Sequence, residues 1–123
     1  MVVGSYQSQM RALPNSVAEL CRVIQGNLIH RELAAWLYGL KLAPEQTDEA
    51  NTRPLAETLG KIRALGDHLL SAVRDPSYRM PCVCRHFSTM LCAILREREV
   101  PARARCGFGA YFNSGKFEDH WVC

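Results

Sequence analysis

The sequence predicts an α+β fold in which helices come first along the chain and antiparallel strands follow. Apolar residues recur at helical spacing over most of residues 14–98. After Pro101 the pattern changes to the alternation of a strand, and an Asn-Ser-Gly-Lys sequence at 113–116 predicts a hairpin over 101–123. A chain of 123 residues supports one hydrophobic core. We therefore expect a single domain over 14–123, preceded by a loose lead-in at 1–13.

Two helices are expected in the first part of the chain. Ser16 and Glu19 have the spacing of a capping box, and the apolar positions that follow predict a helix of about 20 residues. The polar segment 42–51 is expected to form a loop. A second helix is then expected from Pro54 to about Val73, because proline suits the first turn of a helix.

A third helix is expected to begin near Cys84 and to end before Pro101. The sequence Asp75-Pro76-Ser77 indicates a turn ahead of it. Its apolar positions fall on one broad face, so we expect this helix to be substantially buried. They are Cys84, Phe87, Leu91, Ile94 and Leu95.

The composition argues against several function classes. Apolar residues make up 48% of the chain, but no apolar stretch reaches the roughly 20 residues that span a bilayer. The first residues lack the pattern of a signal peptide, so we expect a cytoplasmic protein with reduced cysteines and no membrane partner. The net charge of +3 is small and the basic residues do not cluster, so we expect no nucleic-acid partner.

The last residues, His120-Trp121-Val122-Cys123, lie inside the second expected strand. Two strands alone form a marginal sheet. We therefore expect the sheet to be incomplete at its C-terminal side and the polypeptide to be truncated. The unpaired edge is expected to be covered by self-association, strand swapping or another chain.

Cys84 and His120 are the candidate catalytic pair. A thiol attacks as its thiolate, and the N-terminus of a helix favours that anion. Cys84 is expected at such a position. His120 lies on the hairpin that must pack against this helix, where its imidazole can serve as the base. The alternative is a core cysteine and an edge-strand histidine without chemistry.

Four segments carry a family resemblance: 84–88 (CRHFS), 91–96 (LCAILR), 100–103 (VPAR) and 107–108 (GF). Together they resemble the transglutaminase-like superfamily, in which a cysteine opens a helix and a histidine lies on the second strand that follows. The closing segment 111–123 is similar to a bacterial subgroup of that family. The match covers about residues 82–123 and implies a papain-like core, with the nucleophile helix packed on an antiparallel sheet.

The resemblance implies roles for individual residues. Cys84 matches the nucleophile and His120 the general base, and the backbone N–H of Cys84 is one donor to the oxyanion. The family's third residue, an Asp on the next strand, has no counterpart here. Asp119 is a poor substitute, because alternation along a strand is expected to turn its side chain away from that of His120.

Three more residues are expected at the edge of the site. Cys82 is expected to line the approach to Cys84, and a reversible Cys82–Cys84 disulfide is a minority alternative. Tyr78 is a candidate second oxyanion donor, or else an aromatic packed on the turn. Trp121 is expected to shield the site. The other histidines, His30, His68 and His86, are expected at surface or boundary positions.

The resemblance implies thiol-dependent acyl transfer or amide hydrolysis on a protein or peptide amide, without a cofactor, and impaired where the third residue is missing. Two alternatives remain from the residues themselves. One is a domain that keeps the fold for binding or structure without catalysis. The other is a small zinc-binding module. Its donors would come from a set of five residues, Cys82, Cys84, His86, His120 and Cys123, although their spacing is unlike that of structural zinc sites.

Overall fold

The computed structural model describes residues 6–48, 51, 54–66 and 68–123. Its elements in chain order are α1 (Tyr6–Ala12), α2 (Val17–Gln25), β1 (Leu28–His30), α3 (Ala34–Tyr38), α4 (Pro44–Asp48), α5 (Leu55–Ala64), β2 (Met80–Cys82), α6 (Cys84–Glu97), β3 (Arg105–Asn113) and β4 (Lys116–Val122). Helices and two two-stranded sheets together confirm the α+β class. Over the described residues, none of the helices combines the length and the apolar character needed to cross a bilayer.

The hydrophobic core is built around α6 and the strand that precedes it. Residues from α1, α2, α5, β1 and β2 close over this helix. Burying one Leu, Ile or Met side chain completely contributes roughly 1.5–3 kcal/mol, so this cluster dominates the stability of the fold. Its fully buried members include Met10, Leu20, Leu28, Leu59, Ile62, Leu70, Met80, Met90 and Ile94.

The helix of about 20 residues expected after Ser16 is wrong. Ser16 is the N-cap of α2, since its Oγ accepts from the Glu19 N–H at 3.5 Å, but α2 ends at Gln25. Asn27 then leads into β1, which pairs in parallel with β2. Apolar periodicity continues across this break because a buried strand and a buried helix both place apolar residues in the core.

Proline fits the middle of β2 because, among the residues that the structure describes, β2 pairs with β1 alone. Pro81 has no N–H to donate, and it lies opposite Ile29. The ladder is completed on either side of it. The Met80 N–H donates to the Asn27 carbonyl at 3.0 Å, and the Arg31 N–H donates to the Cys82 carbonyl at 2.9 Å. These bonds fix β1 beside the start of α6.

A buried polar network holds the segment after α5. The Asn27 side chain donates to the Val23 and Leu70 carbonyls, both at 2.8 Å. Arg74 donates to Asn27 Oδ1 at 3.2 Å and to the Ile62 carbonyl at 2.8 Å. Both polar side chains are almost fully buried, so these bonds offset a desolvation cost that is otherwise large.

Residues 6–12 form α1, so the loose lead-in expected at 1–13 is wrong over its described part; residues 1–5 lie outside the described residues. Tyr6 and Met10 are buried in the core. The guanidinium of Arg98, just after α6, donates to the carbonyls of Met10, Leu13 and Pro14 at the end of α1. This contact gives α1 its place and was not visible in local sequence patterns.

Two other expected boundaries also differ from the structure. The loop expected over 42–51 contains α4, and the helix expected from Pro54 to Val73 ends at Ala64. Gly66, with φ of +153°, follows that end and takes a backbone conformation that side-chain-bearing residues avoid. Residues 49, 50, 52, 53 and 67 lie outside the described residues.

The hairpin expected over 101–123 is confirmed as β3 and β4. The two-residue loop Ser114-Gly115 joins them, and Gly115 has a φ of +76°. The first strand begins at Arg105 rather than Ala102. In register, Gly107 faces His120 and Cys106 faces Trp121. Since β4 packs on α6, the hairpin brings its histidine to the N-terminal end of that helix.

Candidate functional site

A cleft lies where β1, the start of α6 and β4 converge. It comprises two adjoining cavities of about 690 Å³ and about 360 Å³. The residues that line both cavities are His30, Leu33, Cys84, His120 and Trp121. The two residues expected as nucleophile and base therefore lie on the wall shared by the two cavities.

Cys84 is the first residue of α6 and is partly buried, as the expected helix start requires. The first N–H groups of a helix lack intrahelical acceptors, and together with the macrodipole they favour an anion by about 0.3–1 kcal/mol. The helix start is held by His86, whose Nδ1 accepts from the Val83 N–H at 3.3 Å. Cys84 is thus positioned at a well-defined helix N-terminus.

The expectation of a partly exposed His86 is wrong, since its side chain is 3% exposed. The buried residues of α6 are His86, Ser88, Met90, Cys92 and Ile94. They lie on opposite sides of the helix, because positions two apart on a helix differ in direction by about 200°. Of the five apolar positions expected on the buried face, Ile94 is buried and the other four are only partly buried. Several elements pack on α6, including α1, α2 and β4, so its burial is not confined to one face.

His120 projects from β4 into the cleft, and its ring packs edge-on against Phe112 with centroids 5.1 Å apart. In the described part of the chain, no hydrogen bond involves the His120 imidazole, and none joins it to Cys84. The pair therefore shares a cleft in which the two side chains are not hydrogen-bonded to each other.

His30, expected at a surface or boundary position within a helix, also faces the cleft. It ends β1 and lines both cavities. Burial is the main cause that lowers its pKa; the nearby Glu32 carboxylate opposes this, and the charges of Arg31 and His120 lower the pKa further. Its Nδ1 accepts from the Glu32 N–H at 3.3 Å, so the proton of the neutral ring is on Nε2. The influence of His120 indicates that the two rings are near each other.

One signal in the sequence could have identified His30. Gly26-Asn27 interrupts the helical pattern, and the short apolar run Leu28-Ile29 follows it. A short apolar run after a helix-breaking pair is typical of a buried strand. A polar residue at the end of such a strand often lies at a functional edge of the sheet.

Of the three residues expected at the edge of the site, one lines the cleft and two do not. Trp121 lines both cavities, as expected. Cys82 does not line the cleft: it is 0% exposed within the core, and burial together with the nearby Cys84 raises its pKa strongly. Tyr78 is also misplaced, because it lies 55% exposed in the 3₁₀ turn Pro76–Tyr78 and lines neither cavity. Tyr78 is therefore not positioned as an oxyanion donor.

Asp119 lines the larger cavity together with its neighbour His120. Five consecutive residues, 117–121, line that cavity, so lining alone does not test the alternation of side chains along β4, and the opposite orientation of Asp119 stays a prediction. No hydrogen bond between Asp119 and His120 occurs in the described residues. Asp119 contributes negative charge to the cleft without orienting the imidazole.

The five candidate zinc donors are dispersed. Cys82 and His86 lie in the interior, whereas Cys123 contacts Cys92. Across residues 6–48, 51, 54–66 and 68–123, no group of three or more His, Cys, Asp or Glu residues is arranged to hold a metal ion. Comparison of the chain with protein-family models, curated proteins and solved structures gave no match.

Proposed function

We propose that the chain is a transglutaminase-like domain with a papain-like arrangement, which performs thiol-dependent acyl transfer or amide hydrolysis. The observation that carries the proposal is that Cys84, at the N-terminus of α6, and His120, on β4, line the same cleft. The N-terminus of a helix favours the thiolate form of a cysteine, and a histidine in the same cleft can serve as its base.

In the proposed reaction, the Cys84 thiolate attacks the carbonyl carbon of a protein or peptide amide. Protonated His120 donates its proton to the departing amine, and a thioester remains on Cys84. An amine or water then attacks the thioester while His120 accepts its proton, and the C–S bond breaks to release the Cys84 thiolate beside protonated His120. The Cys84 backbone N–H supports the developing oxyanion. No cofactor takes part in this scheme.

A second candidate function is a non-catalytic binding or structural domain. Two observations favour it: Cys84 and His120 are not hydrogen-bonded, and no carboxylate orients His120 in the described residues. Loss of the orienting carboxylate usually reduces the rate by orders of magnitude. This alternative predicts that Cys84 reacts like any other partly exposed thiol.

Alkylation by iodoacetamide between pH 5 and 9 separates these functions. Trypsin places Cys84 with Cys82 in the peptide 80–85 and places the exposed Cys106 in 106–116, so Cys106 is an internal reference. Fragmentation distinguishes Cys84 from Cys82, which should stay unmodified in the folded protein. If Cys84 pairs with His120, it should react at least about tenfold faster than Cys106 at pH 6, since an ordinary thiol has a pKa near 8.5.

His120→Ala should remove this advantage, and His68→Ala is the matched control, because His68 is exposed and lines neither cavity. Equal rates for Cys84 and Cys106 at every pH would support the non-catalytic domain. A fast Cys84 that does not respond to His120→Ala would contradict the pair and assign the effect to the helix N-terminus alone.

Two further proposals concern the setting of the protein. We propose a cytoplasmic location for the protein. We also propose that it self-associates through the free edge of the hairpin. Light scattering on a size-exclusion column tests the self-association, and a monomer at every concentration contradicts it. The zinc alternative is tested by metal analysis of protein purified without chelators. Stoichiometric zinc would displace the acyl-transfer proposal.

A further inference from the structure

The Sγ atoms of Cys92 and Cys123 lie 2.7 Å apart, where α6 faces the end of β4. A disulfide bond is about 2.05 Å long, so a small side-chain movement brings these sulfur atoms to bonding distance. We propose that Cys92 and Cys123 form a reversible disulfide when the protein meets a small-molecule disulfide such as oxidised glutathione. The disulfide weighed from the sequence, between Cys82 and Cys84, joins a different pair.

The remaining cysteines compete poorly for Cys123. Cys82 is enclosed in the core, and Cys106 is exposed on β3. Cys21 is the nearest competitor, because it lines a small cavity of about 170 Å³ together with Cys123. No hydrogen bond joins Cys21 to Cys123 in the described part of the chain, whereas the Cys92 and Cys123 thiols are in direct contact.

The two thiols of the pair differ in access to solvent. Cys123 is exposed, whereas Cys92 is 3% exposed. Burial is the main cause that raises the pKa of Cys92 to about 11, and its hydrogen bond with Cys123 adds to the effect. Cys123 should therefore meet the oxidant first, and Cys92 should act as the resolving thiol.

The reaction has two exchange steps that balance. The Cys123 thiolate attacks one sulfur of oxidised glutathione, forms a mixed disulfide and releases one glutathione thiolate. Cys92 then loses its proton to solvent and attacks Cys123 Sγ, which breaks the mixed disulfide and releases the second glutathione thiolate. Two protein thiols are oxidised and one molecule of oxidised glutathione is reduced to two of glutathione.

The cross-link would join the two elements that carry the candidate pair. Cys123 follows His120 by three residues, and Cys92 lies about two turns beyond Cys84 along α6. The oxidised protein therefore has its hairpin tied to α6, which should raise its Tm and slow hydrogen exchange in β4. This inference depends on the thiol geometry and is independent of the proposed function.

The test incubates the folded chain with oxidised glutathione, blocks free thiols with iodoacetamide and digests without reductant. Trypsin places Cys21, Cys92, Cys106 and Cys123 in separate peptides: 12–22, 86–96, 106–116 and 117–123. We expect the 86–96 peptide cross-linked to 117–123 to be at least about ten times more abundant than any other pairing, because touching thiols have a very high effective concentration. Reduction should regenerate both thiols.

Variants make the result specific. Cys92→Ala and the exposed Cys123→Ser should each abolish the cross-linked peptide, whereas Cys21→Ser and Cys106→Ser should leave it unchanged. In urea the preference for this pairing should disappear. A dominant Cys21–Cys123 peptide, or a mixed disulfide that stays on Cys123 without resolution by Cys92, would overturn the inference, and so would full alkylation of both thiols after oxidation.

Discussion

The region around α6 and the β3–β4 hairpin hold their residues in different ways. Around α6, side chains from five other elements enclose the helix, and many of them are fully buried. In the hairpin, Gly109 alone is buried among the residues whose burial is described, and Phe108 and Phe117 are 75% and 77% exposed. The candidate nucleophile belongs to the enclosed region and the candidate base to the exposed one. The distance between them therefore depends on how the hairpin docks, while the start of α6 is fixed by the core.

The largest expected difference between the two regions is in the free energy of unfolding after one apolar side chain is removed from each. Met90→Ala in α6 should lower the free energy of unfolding by about 2–5 kcal/mol, because it leaves a cavity in a close-packed core. Phe117→Ala removes a larger side chain but should change the free energy of unfolding by no more than about 0.5 kcal/mol, because that ring is exposed. Urea unfolding followed by circular dichroism measures both. A loss of more than 2 kcal/mol for Phe117→Ala would show that the aromatic face of the hairpin is covered in solution.

A smaller loss of unfolding free energy is expected when the polar network that holds the segment after α5 is disrupted. Arg74→Met keeps most of the side-chain volume but leaves Asn27 Oδ1 and the Ile62 carbonyl without this donor. Buried acceptors left in this way cost about 1–3 kcal/mol. Arg103→Met, at an exposed position before β3, is the matched control and should have almost no effect. Equal unfolding midpoints for the two variants would mean that the network contributes little.

The smallest of these effects is expected for the contribution of His30 to the pH dependence of stability. Burial lowers the pKa of His30 in the folded protein, while the unfolded chain titrates near its ordinary value of 6.5. The unfolded state thus binds the proton more readily, and the contribution of His30 to stability is present above pH 6.5 and lost as the pH falls through the lower, folded pKa. His30→Gln should flatten the decrease in Tm between pH 7 and 5, and His68→Gln should not. Parallel Tm profiles for wild type and His30→Gln would exclude this role.

Local signals in the sequence were sufficient where one segment determines its own structure. The helix start at Ser16, the start of α6 at Cys84 and the turn at Ser114-Gly115 all depend on neighbouring residues and were predicted. The parallel pairing of β1 with β2 was not predicted, because it joins segments far apart in the chain. His30 was missed for the same reason, since its place at the cleft follows from that pairing.

The thiols show the same division between local and distant information. The position of Cys84 follows from the start of its helix, whereas the contact between Cys92 and Cys123 depends on how β4 packs on α6. Asp119 also lines the cleft beside His120, and the direction of its side chain stays a prediction from alternation along β4.

Arg98 has a consequence for the order in which the chain folds during synthesis. Its guanidinium bonds to the Met10 carbonyl across 88 residues, so α1 emerges from the ribosome long before the group that anchors it. At about 5–20 residues per second, α1 waits some seconds with Tyr6 and Met10 unburied. During that interval the side chains of Tyr6 and Met10 stay open to chaperones and to other chains, because the core that buries them has not yet been synthesised.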